Sequence, residues 1–436
     1  MSAPDILAPA VRGRLDQIGR ADIVVGIPSY QSAATIGHVV QAAQTGLAKY
    51  FPSAQSVILN ADGGSTDGTP AVVESTSGPD TVLVMVSQPE RPIQRFTIPY
   101  HGLPGKGSAF RTIFAAAEAL GATACAVVDS DLRSITPEWI HLLLAPILDG
   151  THDYVAPYYL RHKFDGTITN NVVYPLTRAL YGKRIRQPIG GEFGMSLPLV
   201  RHYLRQAVWE TDVARFGIDI WMTTEAVCGD FRVCQAFLGA KIHNAKDPGA
   251  DLSAMLVQVL GTVFRLMEAH EARWQPVRAT EAVPVFGFQY GVGLEPVHVD
   301  VGRMIDHFRR GVRDLAEIWG SMFGRDDMAR LRSAAASGGD SLAIGDDLWV
   351  RLIYDLAAAY RRRASDRDAL VRATLPLYMG RVASFVLEMA GADAAEVEAR
   401  LERLCSAFEA QKDYLRRRWD AAHGPPSRRG RPRRIA

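Results

Sequence analysis

The sequence predicts an α/β fold, a mostly parallel sheet with helices on both faces, followed by a helical domain. Three observations predict it. Through the first half, short apolar, often β-branched runs alternate with stretches of helical spacing, the pattern of strand–helix–strand crossovers. Glycine-bearing polar clusters follow those runs directly, where sheets of this kind bind ligands, at the carboxyl ends of the strands. Beyond about residue 250 the alternation stops and amphipathic stripes take over.

Residues 1–20 read as an arm with a short helix over 11–18. The first strand, 22–27, ends at Pro28, which cannot donate to a ladder. Residues 35–47 place Ile36, Val39, Val40, Ala43 and Leu47 on one helical face. A second strand, 55–59, runs into Asp62-Gly63-Gly64-Ser65, whose glycines allow close backbone approach to a ligand, and helix resumes over 67–73. A third strand is expected at 81–86, then a long loop, 88–107, of a length usually kept for function. Helix 109–120 carries Ala115, Ala116, Ala117 and Ala119, small enough for close packing on a sheet. The fourth strand follows and delivers Asp129 and Asp131.

Thr136 and Pro137 cap and open the next helix, 137–148, ahead of a strand at 154–159. Asp219 heads a helix running towards Val227, and 233–242 is the last strand of this half, ending in Lys241-Ile242-His243-Asn244. Helical stripes follow at 252–267, 301–319, 348–360 and 382–389, and through Val397, Leu401, Leu404, Phe408 and Leu415. The expected organisation is an arm (1–20), a catalytic domain (21–265), a helical domain (266–420) and a basic disordered tail (421–436).

A chain of 436 residues is long for a single core, which agrees with two domains. A formal charge of +2 gives no sequence-wide case for a nucleic-acid partner or an anionic membrane surface. Cys125, Cys228, Cys234 and Cys405 show neither zinc-ligand spacing nor a disulfide framework, as expected for reduced thiols in a cytoplasmic protein. There is no charged segment leading into an apolar core at the N-terminus, and no run of about 18 apolar residues, so a soluble protein without a membrane span is expected.

The chemistry is concentrated at Asp129-Ser130-Asp131. Two carboxylates one residue apart at a strand end can reach one side of a turn and hold a divalent cation against a phosphate-bearing ligand. Alone, such a pair also recurs in solvated turns. Here it has company: Gly26-Ile27-Pro28-Ser29-Tyr30, Asn60-Ala61-Asp62-Gly63-Gly64, Pro104-Gly105-Lys106-Gly107, Gln187-Pro188-Ile189-Gly190-Gly191-Glu192, Gly217-Ile218-Asp219 and Ile242-His243. This set resembles the Rossmann-like GT-A glycosyltransferases, in particular the retaining enzymes that make glucosyl-3-phosphoglycerate, glucosylglycerate and mannosylglycerate. The likeness runs over roughly residues 22–265, and more loosely through Pro296-Val297-His298-Val299 and Met379-Gly380-Arg381-Val382 of the helical part.

The resemblance implies a role for each motif. Pro28, Ser29, Tyr30, Asp62 and Gly63 would line the base and ribose pocket, with Asp129, Ser130, Gln187, Gly190 and Gly191 also on the donor side. Lys106 would lie against the diphosphate, and Asp131 with His243 would ligate Mg2+ or Mn2+. Arg161, Gly166, Thr167 and Thr169 would receive the acceptor, and Asp219 would contact sugar or acceptor hydroxyls. Asp219 and Lys106 are then the catalytic pair of a front-side substitution, while Glu192 is either a second catalytic acid or a residue that holds its loop. The donor would be a UDP- or GDP-hexose, glucose or mannose, and the enzyme a homodimer.

Two departures bear on this. Phosphoglycerate-using members carry an arginine where this chain has Thr167, which favours free D-glycerate as acceptor, although His162 or Lys163 could anchor the phosphate of 3-phosphoglycerate. Asn244 stands where relatives often have an arginine on the donor phosphates. Other readings are a GT-A transferase for a lipid or polysaccharide acceptor and a catalytically silent sugar-nucleotide-binding scaffold. A dinucleotide-binding dehydrogenase is disfavoured because no Gly-x-Gly-x-x-Gly follows the first strand.

Overall fold

The computed structural model describes residues 6–76, 94–99, 105–242, 253–338, 341–363 and 366–423. The chain forms two compact units, residues 1–299 and 300–436.

In the first unit the strands are β1 (Ile23–Ser29), β2 (Ser56–Asp62), β3 (Gln94–Pro99), β4 (Ala124–Val127), β5 (Tyr154–Leu160), β6 (Lys183–Arg184), β7 (Phe193–Ser196), β8 (Val233–Ala240), β9 (Glu281–Ala282) and β10 (Val285–Phe286). Eight form one sheet in the order β10-β8-β5-β7-β4-β1-β2-β3, and β6 pairs with β9 separately. Within the large sheet only β7 runs antiparallel to its neighbours, β4 and β5. The expected mostly parallel α/β sheet is therefore present. The strand order reverses direction between β1 and β4, which opens a crevice at their carboxyl ends.

The helices of this unit are α1 (Pro9–Ile18), α2 (Ile36–Tyr50), α3 (Thr69–Ser75), α4 (Lys106–Ala119), α5 (Pro137–Leu148), α6 (Tyr174–Tyr181), α7 (Leu197–Leu204), α8 (Ile218–Cys228), α9 (Ser253–Ala269) and α10 (Glu271–Trp274). Ile23, Val25 and Ile27 of β1 join one core with α2 and α5. Gly26 faces the other way, against α4, where a Cβ would lie 2.3 Å from Ile113. Because β1 is covered on both faces it reads as an unbroken apolar run rather than an alternating one.

The structure departs from expectation at several places. β1 continues through Pro28 to Ser29. Pro28 stays in register with Ala61 of β2, and the N–H it lacks would point toward β4, as the polar groups of Gly26 do, but beyond the last β1–β4 pair at Gly26 and Val127, so no ladder bond is lost. The strand expected at 81–86 lies outside the described residues, whereas β3 falls inside the span 88–107 that reads as a loop. Its Phe96 and Ile98 alternate with polar residues, but flanking prolines mask the signal. β7 reads in sequence only as an apolar stretch; a four-residue strand is too short to show a period. A π-helical turn, Thr169–Val173, runs on into α6, a stretch for which the sequence carries no assigned element.

The second unit holds α11 (Val301–Asp314), α12 (Ala316–Gly320), α13 (Arg325–Ala336), α14 (Asp346–Arg362), α15 (Arg367–Arg372), α16 (Leu375–Met389), α17 (Ala394–Ala410) and α18 (Lys412–Asp420). α17 begins with a capping box in which Asp393 and Glu396 satisfy each other's backbone donors. Ala421–His423, the first residues of the expected tail, form a 3-10 turn. Residues 367–389 are long and apolar enough to cross a membrane by composition, but most of this stretch is buried within the protein, as in a core helix.

Met379-Gly380-Arg381-Val382 serves this core. Gly380 lets α16 approach α11, since a Cβ would lie 2.5 Å from the Phe308 ring. The buried Arg381 donates to the Ile344 carbonyl (2.6 Å) and to Asp346 (2.8 Å), while Arg400 grips both oxygens of Asp346 at 2.7 and 2.8 Å. Removing the carboxylate would leave two guanidinium groups without their shared counter-ion. Asp346→Ala is expected to cost about 3 kcal/mol or more in urea unfolding of the full chain, and Asp346→Asn less.

Candidate active site

The crevice at the strand ends is a cleft of about 850 Å³. On one side β1 and β2 end in a turn tied together by side-chain hydrogen bonds. The buried carboxylate of Asp62 accepts from the hydroxyls of Ser29 (2.9 Å) and Ser65 (2.7 Å) and from the backbone N–H groups of Gly64 (2.9 Å) and Ser65 (2.8 Å). Asn60 donates to the Ile27 carbonyl and to Ser29. Asp62 thus shapes the turn from behind, while Pro28, Ser29, Tyr30 and Gly63 face the cleft. Tyr30 is 64% exposed at its lip.

β4 then brings in the two acids. Ser130 between them is buried; its hydroxyl meets that of Ser32 at 2.9 Å and its carbonyl accepts from Thr35 at 2.8 Å, which ties the turn to the β1–α2 connection. Asp129 and Asp131 both line the cleft.

Asp129 is the middle of a chain of alternating charges. Its Oδ1 lies 2.8 Å from Lys106 Nζ and its Oδ2 3.0 Å from Lys241 Nζ. Lys106 reaches on to Asp219 at 3.2 Å. Lys241 also donates to the Gly190 carbonyl (2.7 Å) and to both oxygens of Glu192 (2.9 and 3.0 Å). The five side chains come from the start of α4, the end of β4, the 187–192 loop, the first turn of α8 and the end of β8.

Local packing forces this convergence. A Cβ on Gly107 would lie 1.8 Å from the Val213 carbonyl, so only glycine lets the start of α4 sit against the turn that leads to α8. Gly191, at φ +102°, lies so near Asp129 that a Cβ would fall 2.2 Å from its Oδ2.

Burial opposes the charges on Lys106 and Lys241, but the carboxylates beside them outweigh it and hold both ammonium pKa values above the ordinary lysine range. Burial likewise pushes up Asp129, and the two lysines overcome it, so Asp129 stays well below the usual carboxylate range. Glu192, with no exposed surface, is pushed well up by burial, and Asp219 is raised by the same cause.

The opposite wall holds Arg161, Gly166, Thr167 and Thr169. Arg161 lies over the Tyr159 ring at 5.2 Å and 3.8 Å from Asp165, and its Nε is buried without a hydrogen-bond partner. Thr167 and Thr169 are closed in, at 0% and 2% exposed.

The structure therefore brings into one cleft Pro28, Ser29, Tyr30, Gly63, Lys106, Asp129, Ser130, Asp131, Arg161, Gly166, Thr167, Thr169, Gly190 and Asp219. Asp62 and Gly191 stand behind it as supports. Gln187 is buried away from the lining, with its Oε1 unpartnered. Pro104, His243 and Asn244 lie outside the described residues. Lys241 has no assigned part in the sequence motifs, although it belongs to the same Lys241-Ile242-His243-Asn244 run. An apolar part of the lining, Phe164, Ile168, Phe216, Met255 and Val259, carries no motif at all.

Asp131 is suited to a divalent cation: it faces the cleft and its side chain has no hydrogen bond or ion pair among the described residues. Asp129 is less suited to one, because an ammonium group stands against each oxygen. Among the described residues no group of three His, Cys, Asp or Glu side chains could hold a metal ion.

No protein-family profile and no curated protein matches this sequence. Solved structures do match. Glucosyl-3-phosphoglycerate synthase from Mycobacterium tuberculosis in complex with Mg2+ and UDP is 23% identical, with a TM-score of 0.42 over 58% of this chain and 83% of that one. The complex of that enzyme with Mn2+, UDP and glucosyl-3-phosphoglycerate is 23% identical, with a TM-score of 0.43 over 60% and 85%. The complex with Mn2+, UDP-glucose and phosphoglyceric acid is 21% identical, with a TM-score of 0.43 over 60% and 84%. At these scores the likeness carries no argument about the reaction, which has to come from the side chains.

α8, which presents Asp219 in its first turn, is pinned further along by Glu225. One carboxylate oxygen lies 2.8 Å from His270 Nε2 and the other 3.1 Å from His202 Nε2. Burial pushes Glu225 up, the two imidazole hydrogen bonds outweigh it, and the carboxyl falls below its ordinary value of 4.5. A depressed carboxylate stabilises the fold above its unfolded pKa, and that contribution is lost as pH falls through the folded value. Glu225→Gln is expected to melt ~3 °C below wild type at neutral pH, with the gap closing below about pH 4, as read by thermal denaturation across a pH series.

Proposed function

We propose that this chain is a retaining, metal-dependent glycosyltransferase of the GT-A type, which moves glucose or mannose from a UDP- or GDP-sugar to the 2-hydroxyl of D-glycerate. The observation that carries the reading is one cleft holding Lys106, Asp129, Asp131 and Asp219 opposite Arg161 and the 166–169 turn. Its volume of about 850 Å³ has room for a nucleotide sugar and a small acid together.

The β1 and β2 ends receive the base and ribose, with Tyr30 at the lip. Lys106 lies where a diphosphate would pass, and its loose hold on Asp219 lets the ammonium turn to a phosphate. Asp131, with His243, would hold Mg2+ or Mn2+, which supplies Lewis-acid stabilisation of the departing diphosphate. Arg161 suits the acceptor carboxylate, because a guanidinium can bind it through two parallel hydrogen bonds.

Retention by double displacement needs a carboxylate on the far face of the sugar. Glu192 is fully buried and held by Lys241 through both oxygens, so it does not reach a sugar. Asp219 is engaged by Lys106 and better suited to hydrogen-bonding a hydroxyl, which favours front-side attack. In a second reading 3-phosphoglycerate is the acceptor; Lys163, two residues after Arg161, supports it as a phosphate anchor. We place the enzyme in the cytoplasm as a soluble homodimer.

The test is a matrix of D-glycerate and 3-phosphoglycerate against UDP-glucose, GDP-glucose and GDP-mannose, with Mn2+ or Mg2+ and the product anomer read by NMR. Transfer to D-glycerate with retention is expected, and faster transfer to 3-phosphoglycerate would select the second reading. Asp131→Ala and Lys106→Ala should each lower turnover by about 10²-fold or more. No metal-dependent transfer or hydrolysis with any donor would refute the proposal.

A further inference from the structure

Lys241 has no part in the chemistry just described, yet its ammonium is closely bound. Its side chain is 5% exposed, and its ammonium reaches one backbone carbonyl and three carboxylate oxygens, two of Glu192 and one of Asp129. A three-donor ammonium so surrounded has nothing left for a ligand. Lys106 is held less closely, shared between Asp129 and Asp219 at 2.8 and 3.2 Å.

Between them the lysines cover both oxygens of Asp129 and, among the described residues, none of Asp131. A bare divalent ion approaching this turn would find one free carboxylate and two ammonium groups at the other, and like charges repel strongly where water is scarce. A diphosphate changes the balance. It brings its own negative oxygens for the metal and competes for Lys106, whereas Lys241 stays fixed by Gly190 and Glu192.

We infer that Lys106 and Lys241, by neutralising Asp129, make this turn a poor site for a bare divalent ion, so that the metal enters as its complex with a diphosphate, and that Lys241 is the positioning residue that sets this order. The inference rests on the function proposed above. It also accounts for Glu192, whose carboxylate holds Lys241 in place against Asp129.

The test is Mn2+ binding to the full chain, read from the free-ion electron paramagnetic resonance signal with and without UDP or GDP. Wild type should bind Mn2+ alone at least about tenfold more weakly than with the diphosphate. Lys241→Met combined with Glu192→Gln, an uncharged pair of similar volume, should bind Mn2+ alone about tenfold more tightly than wild type, and adding Asp131→Asn should abolish that gain. Lys106→Met frees the other Asp129 oxygen and should shift binding the same way, which keeps the test open should the double variant not fold by circular dichroism. Wild type binding Mn2+ alone as tightly as with UDP or GDP would overturn the inference, as would folded variants whose affinity for Mn2+ alone is unchanged. If neither UDP nor GDP binds in the presence of Mn2+, the proposed function fails, while the comparison of wild type and variants with Mn2+ alone still decides the inference.

Discussion

A carboxylate half-buried in a cleft keeps its charge where cations or hydrogen-bond donors stand against it, and the site rests on that constraint at Asp129, where the partners are cations. Two lysines from distant parts of the chain each take one of its oxygens, and each is in turn held by a further acid. The sheet order, the glycine contacts and the close approach of α4 to the turn before α8 can all be read as what it takes to bring those five side chains together. Gly107 and Gly191 are required because any larger residue would push a lysine or the aspartate out of line.

Much of this was legible in the sequence. In a parallel sheet covered on both faces the strands are apolar runs and the polar residues that matter follow them, so the ends of β1, β2 and β4 stand out, with Asp131 among them, whereas Lys106 and Asp219 are marked only by the resemblance of their motifs. What stayed hidden depends on partners. That Pro28 can lie inside a strand follows from where β1 stops pairing with β4, and no single strand carries that information. β3 lay between prolines and β7 was too short to show an alternation. Lys241 looked like an ordinary lysine at a strand end, because its importance lies in Asp129 and Glu192, 112 and 49 residues away.

The motif residues also divide in a way that sequence cannot. Asp62 and Gly191 sit with the site's motifs but serve as supports, one by tying a turn through four hydrogen bonds and the other by having no side chain. In the second unit Met379-Gly380-Arg381-Val382 belongs to a helix core, where Arg381 shares a carboxylate with Arg400. A motif marks a position under constraint, and only the neighbours say whether that constraint is chemical or mechanical.

The placement of β7 has a consequence for how the first unit assembles. This strand fills the gap between β4 and β5, and the loop just ahead of it delivers Glu192, while Lys241 comes only with β8, far later in the chain. A sheet of β1 to β4 alone would leave Asp129 with Lys106 and open to water, without Lys241. The later strands thus bring the cover over Asp129 and its second cation together, so that its burial and its neutralisation are completed by the same part of the chain.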